Sequence, residues 1–464
     1  MKGLLIISGL GILAMLAEIF KFKKLLFPLV LLGVLAAYVF NFMEWNNPLN
    51  IAAFDNMIGF DKIALAFSGV ILATVFFWFI MANDYFENDT NMVDHVSLVL
   101  FAVVGALMLT AFKNMTTLFL GVEIMSIPLY VLAASKKKDI KSNEAGFKYL
   151  IMGSFASAFL LFGIALIYGA TGSFDLMQIQ AAVSNHAAGG MPVFFYAGVI
   201  MLLIAMLFKV SAAPFHFWAP DVYQGSPTVI TALMSTVVKT AAFAAILRLF
   251  LIGFSGVSEV WSTILPIIIA LSLVIANFSA AMQINVKRML AYSSISHAAF
   301  MLMVVLANVR SNATLGALLY YSLAYSIGSI AAFGVLYNVT KKGDESFDAF
   351  NGLGKRNPLM AACMTIAMLS LAGIPITAGF FAKYFVFAIM IGTAYKWLLI
   401  LAILTSAVGV YYYLKVIISM YFRTSAETEE VHIELSQKTV IILTTIITLA
   451  LGLVPGFVAE MFSF

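Results

Sequence analysis

Charge is what this chain of 464 residues has least of: 10% of its residues are Asp, Glu, Lys or Arg, against 63% hydrophobic. Soluble domains run near a quarter charged, so this composition excludes a soluble globular protein and points to a chain with many membrane spans. Cysteine is nearly absent, with Cys363 the single one. Alone, it excludes an internal disulfide, an iron–sulfur cluster held by this chain and a cysteine-based structural zinc site. The five histidines (His95, His186, His216, His297, His432) are scattered without ligand spacing. There is no G-x-G-x-x-G, no Walker loop and no H-E-x-x-H. Whatever energy the protein uses must come from an ion gradient or a partner. The net charge of +4 is spread over short loops and reads as topology bias rather than as a nucleic-acid patch.

What the chain has instead is apolar length. About 20 apolar residues cross roughly 30 Å of hydrocarbon. Fourteen such runs cover 3–20, 25–43, 62–82, 94–112, 115–134, 146–170, 192–213, 227–252, 260–282, 288–308, 313–338, 358–391, 396–421 and 438–461. The first resembles a signal peptide but lacks a small-residue cleavage site, so it reads as a spanning helix. The loops leave no room for a soluble domain. The fold class expected is therefore an all-α polytopic membrane protein of about 14 transmembrane helices.

Lysine and arginine asymmetry sets the orientation. With both termini outside, the inside loops carry fifteen basic residues: Lys21, Lys23, Lys24, Lys136, Lys137, Lys138, Lys141, Lys287, Arg288, Lys341, Lys342, Lys355, Arg356, Arg423 and Lys438. Five remain outside, namely Lys2, Lys62, Lys113, Arg310 and Lys396. The acidic loop Asp84–Asp94 falls inside, but acidic residues contribute little to this rule.

Two helices carry prolines in mid-span. One reads Lys209-Val-Ser-Ala-Ala-Pro214-Phe-His216-Phe-Trp-Ala-Pro220, the other Ala372-Gly373-Ile-Pro375-Ile-Thr-Ala-Gly379-Phe-Phe-Ala-Lys383. Proline removes a donor and clashes with the preceding turn. In lipid, the freed carbonyls persist only where they face protein or water. Two interrupted helices, each with a lysine at the break, are the mark of an inverted-repeat transporter core. Lys209 follows Glu123 by 86 residues and Lys383 follows His297 by 86, a shift of 174 residues or five helices. Five is odd, so the second copy is inverted. Pro214 and Pro375, 161 apart, do not obey that shift. The expected division is residues 1–93 for helices 1–3, 94–252 for a first five-helix repeat, 253–422 for a second, inverted one, and 423–464 for helix 14.

Ionisable residues inside the spans carry the chemistry. A charge at mid-bilayer costs about 2.5–3.5 kcal/mol on the translocon scale, so Glu123, Lys209, Lys239 and Lys383 read as functional. Burial disfavours a lysine's charged form and a carboxylate within about 4–6 Å restores it. Moving one charge through 100 mV costs about 2.3 kcal/mol, comparable to one or two pK units at about 1.36 kcal/mol each. Moving Glu123 towards or away from Lys209 could thus load or eject a proton, where a fixed ion pair would do nothing. Lys383 lies eight residues past Pro375, too deep in apolar sequence to snorkel. His297 could bridge the two lysine groups, and His216, beside Pro214, is a further candidate nearer the inside surface. Glu144 and Lys148, spaced i, i+4, suit an ion pair and stand as a secondary proton-uptake candidate. Lys287 and Arg288 read as topology determinants, and Arg248 and Lys415 as snorkelling residues. Tyr411-Tyr412-Tyr413 and the phenylalanines read as lipid and interface packing.

The segment Phe119-Leu-Gly-Val-Glu-Ile-Met-Ser-Ile-Pro-Leu-Tyr130 resembles the glutamate helix of the antiporter-like subunits of respiratory complex I. Similar to that family, too, are Phe208-Lys209-Val-Ser-Ala-Ala-Pro-Phe-His216-Phe-Trp-Ala-Pro220-Asp-Val-Tyr-Gln-Gly-Ser-Pro227-Thr, the Lys239 helix, Asn285-Val-Lys-Arg-Met-Leu-Ala-Tyr-Ser-Ser-Ile-Ser-His297 and Gly373-Ile-Pro-Ile-Thr-Ala-Gly-Phe-Phe-Ala-Lys383. The resemblance covers essentially the whole chain. It implies two inverted five-helix bundles, a polar axis along the membrane centre, and protons driven through Glu123, Lys209, Lys239, His297 and Lys383 by redox chemistry elsewhere. It further implies that no cofactor is bound here, with NADH, FMN, iron–sulfur clusters and quinone held by partner subunits. The implied setting is a bacterial inner membrane beside other membrane subunits, with no nucleic acid. Three competing readings use the same residues or none: a Mrp-type cation/proton antiporter subunit, a membrane-bound hydrogenase subunit, and a structural membrane subunit that translocates nothing.

Overall fold

In this computed structural model, residues 1–20, 22–46, 57–87, 91–185, 190–307, 312–341, 343–424, 431 and 433–456 are described. Lys21, Arg310 and Lys342, used above for orientation, lie outside them, as do His186, His432 and residues 457–461 of the last predicted run. The helices are α1 (Lys2–Leu16), α2 (Lys23–Met43), α3 (Lys62–Met81), α4 (Asn83–Glu87), α5 (Met92–Ala111), α6 (Met115–Ala133), α7 (Ile140–Thr171), α8 (Leu176–Asn185), α9 (Val193–Lys209) and α10 (Trp218–Gly225). They continue as α11 (Thr228–Leu233), α12 (Lys239–Ile246), α13 (Ser258–Ala281), α14 (Val286–Leu306), α15 (Asn312–Val339), α16 (Leu353–Arg356), α17 (Pro358–Ala372), α18 (Ala378–Ile391), α19 (Lys396–Phe422) and α20 (Leu435–Leu453). No strand occurs among the described residues, as hydrocarbon requires of a chain that must pair its backbone within each segment.

Among the described residues, eleven continuous spans are long and apolar enough to cross a bilayer. The remaining predicted runs are the shorter α1 and α9 and the α17–α18 pair. Run 358–391 is thus two helices rather than one, divided at Gly373–Thr377. Helix starts are set by short polar side chains: Asp61, Asn114, Asp139, Asn285 and Asn357 each accept a backbone N–H of the first turn.

Burial sorts the helices. The span Thr228–Gly253 is enclosed along its whole length, and α14 and α15 nearly so, whereas α2, α7, α19 and α20 leave broad apolar faces outward. That central span joins α11 to α12 through a π-helical turn at Met234–Val238 and ends in another at Leu247–Gly253. Such turns insert an extra residue and re-aim the side chains that follow; here the residue that follows is Lys239. Trp78 on α3 ties the span in place, its indole N–H donating to the Val229 carbonyl at 2.7 Å. The innermost helices therefore carry Lys239, His297 and Tyr325. Packing order and candidate chemistry coincide.

Candidate functional site

Both breaks are built alike. After Lys209, the last residue of α9, the chain runs irregularly to α10, with Ser211 at φ 62°. After Ala372 it runs irregularly to α18, with Ile376 at φ 77°. Left-handed backbone at a residue with a side chain costs on the order of 1–3 kcal/mol and persists where surroundings impose it. The freed polar groups find protein partners. The Phe208 carbonyl accepts the Trp218 indole at 3.1 Å, and Ala213 N–H donates to Ser272 Oγ at 2.8 Å. At the second break, the Gly379 N–H donates to Ser370 Oγ at 3.1 Å, and the Ala372 carbonyl accepts Lys383 Nζ at 2.8 Å. Lys383 is thus the cap of a broken helix. It stands five residues into α18, because the helix begins at Ala378 rather than at Pro375.

Glu123 and Lys209 approach without touching. On α6, Glu123 is half-buried and accepts a hydrogen bond from Ser157 of α7. One turn further along α6, Ser126 accepts Lys209 Nζ and donates its own hydrogen to the Val122 carbonyl. A crevice of about 10 Å³ lined by Ser157, Gly153, Ala156 and Lys209 lies between α7 and α9, about the room one water needs. The Lys209 ammonium also lies 6.0 Å from the Tyr149 ring centroid.

Further inward, Lys239 donates to the Ser294 carbonyl and sits 6.0 Å from the Tyr325 ring. His297 is one turn along α14 from Ser294. Its ring faces Tyr325 at 4.9 Å, pairs Nδ1 with the Tyr321 hydroxyl at 2.8 Å and Nε2 with Tyr413 at 3.2 Å. Lys383 lies 5.1 Å from the Phe300 ring, and Phe300 stacks on Tyr321 at 6.3 Å. Lys209, Lys239, His297 and Lys383 are all less than a tenth exposed. Among the described residues, no carboxylate bonds any of the three lysines; each is held by a neutral oxygen and an aromatic face.

The remaining candidates sit elsewhere. Glu144 and Lys148 form the expected i, i+4 pair at 2.6 Å, both well exposed, and Lys148 also binds Asp221 at 2.8 Å. Asp221 in turn binds Arg288 at 2.8 Å, so this network joins α7, α10 and α14 at one end of the bundle. His216 is buried against the Phe217 ring at 4.6 Å, and its Nδ1 has no protein partner among the described residues.

Three expectations need correction. Arg248 does not snorkel: it is buried, donates to the Thr110 carbonyl at 2.6 Å and pairs with Asp61. Lys287 is more than a topology charge, being buried against Glu345 at 2.9 Å. Of the tyrosine triplet only Tyr411 faces outward; Tyr412 and Tyr413 are buried and bond Asn277, Ser293 and His297. Beyond these, α10 carries Trp218, which stacks on Tyr149 at 4.7 Å, and Tyr223. The tyrosines and serines of the line escaped sequence reading because neither residue type is rare in a membrane helix. A signal was nonetheless present: Tyr321, Tyr325 and Ser329 recur at helical spacing on α15 (321, 325, 329), which faces Lys239 and His297.

The sequence family described as NADH:quinone oxidoreductase/Mrp antiporter, transmembrane, matches residues 113–409. A protein of Flavobacterium psychrophilum named NADH-quinone oxidoreductase subunit N is 43% identical over 99% of this chain and all of its own length. One of the same name from Cytophaga hutchinsonii is 45% identical over 91% of this chain and 90% of its own. Among solved structures, a chain of respiratory complex I from Thermus thermophilus matches with TM-score 0.82 and 32% identity, covering 99% of this chain and 98% of the other. A chain of the archaeal membrane-bound sulfane sulfur reductase matches with TM-score 0.88 and 26% identity, covering 99% and 96%. With two broken helices, a buried lysine line and matches of this extent, the chain belongs to the NADH:quinone oxidoreductase/Mrp antiporter family and, within it, is similar to subunit N.

Proposed function

We propose that this chain is a proton-translocating membrane subunit of an NADH–quinone oxidoreductase. It would be embedded beside other membrane subunits in a bacterial inner membrane, with both termini on the outer side. The observation that carries the reading is the line of three buried lysines that, among the described residues, bond only neutral partners. A buried ammonium without a bonded counter-ion is poised to lose its proton when its surroundings change slightly, whereas a tight ion pair is not. Glu123, held one serine away from Lys209, is placed to bias that choice, and His297 with its two tyrosines joins Lys239 to Lys383. Redox chemistry, with NADH, FMN, iron–sulfur clusters and quinone, belongs to the partner subunits. Among the described residues no group of three or more His, Cys, Asp or Glu could hold a metal. The matched breaks support residues 94–252 and 253–422 as the two inverted repeats. The shared name of the relatives at 43% and 45% identity favours this reading over the antiporter and hydrogenase alternatives.

The test is Lys209→Met and Glu123→Gln in the assembled complex, following NADH oxidation and proton uptake in inverted vesicles. Proton uptake per NADH falls at least twofold in the first and less in the second. Unchanged proton uptake at normal levels of complex would overturn the proposal and favour a structural subunit.

A further inference from the structure

The hydrogen-bonded row that leads away from His297 ends on a side chain that the lysine line does not use. Asn277 of α13 is 1% exposed. Its Nδ2 donates to the Leu273 carbonyl at 2.7 Å and to Ser296 Oγ at 2.9 Å, which engages both amide protons. A backbone carbonyl can only accept, so the amide cannot be turned end for end. Oδ1 is therefore the atom that meets the Tyr412 hydroxyl at 3.2 Å, and Tyr412 must donate to it. The Tyr412 oxygen is left free to accept, and the Tyr413 hydroxyl lies within hydrogen-bonding range of it. Tyr413 in turn meets Ser293 and, at 3.2 Å, His297 Nε2. On the other side of the ring, the Tyr321 hydroxyl is 2.8 Å from Nδ1 and bonds His297 alone among the described residues.

Counting protons decides between the two neutral forms of the imidazole. With the ring proton on Nε2, every donor in the row has an acceptor. Tyr321 gives to Nδ1, Nε2–H and Ser293 give to Tyr413, Tyr413 gives to Tyr412, and Tyr412 gives to Asn277. With the ring proton on Nδ1, Tyr321 must accept, and its own buried proton has no protein acceptor among the described residues. We propose that Asn277 is a positioning residue which, through Tyr412 and Tyr413, holds the His297 proton on Nε2 and so leaves Nδ1 as the nitrogen that takes and returns protons. This rests on the proton-translocating reading above. The hydrogen bond at one ring nitrogen settles what the other nitrogen presents. An amide oxygen accepts a hydrogen bond but is too weak a base to take the proton, so the row orients the ring and conducts nothing. In the step itself the Tyr321 O–H bond breaks as an Nδ1–H bond forms, and a proton from the lysine line replaces the one that Tyr321 gave up. His297 becomes imidazolium, Tyr321 ends as it began, and the return runs in reverse. The two tyrosines thus have separate tasks: Tyr321 carries and Tyr413 holds.

The experiment is solid-state nitrogen NMR of the complete complex carrying isotope-labelled histidine, the His297 signals being those lost in His297→Gln. In the parent, Nε2 bears the proton and Nδ1 bears none. Asn277→Leu keeps the size of the side chain and removes the acceptor. Tyr412 then turns to Tyr413, Tyr413 turns to Nε2, and the ring proton moves to Nδ1, while proton uptake in inverted vesicles slows at least threefold. Asn277→Asp keeps an acceptor for Tyr412, so the proton stays on Nε2 and most of the rate returns. A parent with the proton on Nδ1, or a proton that stays on Nε2 in Asn277→Leu, overturns the assignment. So does a proton that moves while uptake keeps its rate. Normal uptake in Lys209→Met is the failure of the translocating reading, and the position of the ring proton is measured independently of it. If Asn277→Leu does not assemble, Tyr412→Phe, which removes the acceptor for Tyr413, takes its place under the same criteria.

Discussion

A lysine ammonium brings three donors and one charge into a place where neither is easily satisfied. Lys209, Lys239 and Lys383 each find an oxygen, from Ser126, Ser294 and Ala372 respectively, and an aromatic ring. The oxygen serves one proton and the ring offers partial compensation for charge. This arrangement tolerates both protonation states, because loss of a proton strands no carboxylate. His297 works under a different constraint. Its two ring nitrogens face Tyr321 and Tyr413, and a hydroxyl can donate or accept. The imidazole can therefore exchange tautomers without leaving either nitrogen unpaired, provided both hydroxyls turn. Tyr413→Phe removes that freedom on one side and takes away the hydroxyl that Ser293 bonds as well. An unsatisfied buried polar group costs about 1–3 kcal/mol, so proton uptake should slow by about 5- to 140-fold, at about 1.4 kcal/mol per tenfold. Stopped-flow measurement of uptake in reconstituted complex checks this; a rate within error of the parent would remove Tyr413 from the path.

At the level of helices, the two breaks show how a strained backbone is kept. The α17–α18 break closes because Gly379 has no side chain: a Cβ there would overlap the Ser370 carbonyl. Its N–H meets Ser370 Oγ instead. Gly379→Ala should destabilise the subunit by about 1–3 kcal/mol through overpacking and shift Lys383 from the Ala372 carbonyl, read as a lower thermal midpoint of the purified complex. An unchanged midpoint would mean that α18 slides freely. A different device joins α4 to α15. Asp84 pairs with Lys341 at 2.6 Å and accepts from Tyr337 at 3.2 Å. Burial pushes its carboxyl up, but the hydrogen bonds and charge of Lys341 outweigh this and hold it below the usual carboxylate range. A depressed folded pKa stabilises above the unfolded value of about 3.9 and loses its effect as pH falls through the folded value. Hydrogen exchange of residues 83–87 should therefore stay slow at neutral pH and quicken below about pH 4. With Asp84→Asn, exchange should be fast throughout.

Over the whole bundle, the position of an ionic group follows which helices enclose it. Three enclosed helices carry the line Lys239–His297–Tyr325, while the outward faces of α2, α7, α19 and α20 are apolar. Arg248 and Asp61 tie the central span to the start of α3, and the Arg248 Nε–H covers the Thr110 carbonyl of α5. Three helices thus share one guanidinium. Arg248→Ala should cost about 1–3 kcal/mol, since the Thr110 carbonyl loses that donor in a buried setting. Native-gel yield and thermal midpoint should both fall, with proton uptake per NADH kept in the complex that does assemble. Normal yield would show that α3 and α5 hold the central span without it.

Much of this molecule can be read from apolar length, proline placement and the expense of charge in hydrocarbon. Those properties act locally, so fourteen segments, two breaks and the lysines at 209, 239 and 383 stand out before any contact is known. Partners do not act locally. Whether Arg248 reaches water or Asp61, whether Tyr413 meets lipid or His297, and whether Lys287 marks a loop or pairs with Glu345 depends on helices brought together from distant parts of the chain. A tyrosine or serine costs little in either setting, so its sequence position carries no sign of the choice; only the packing of α14 against α15 and α19 makes it.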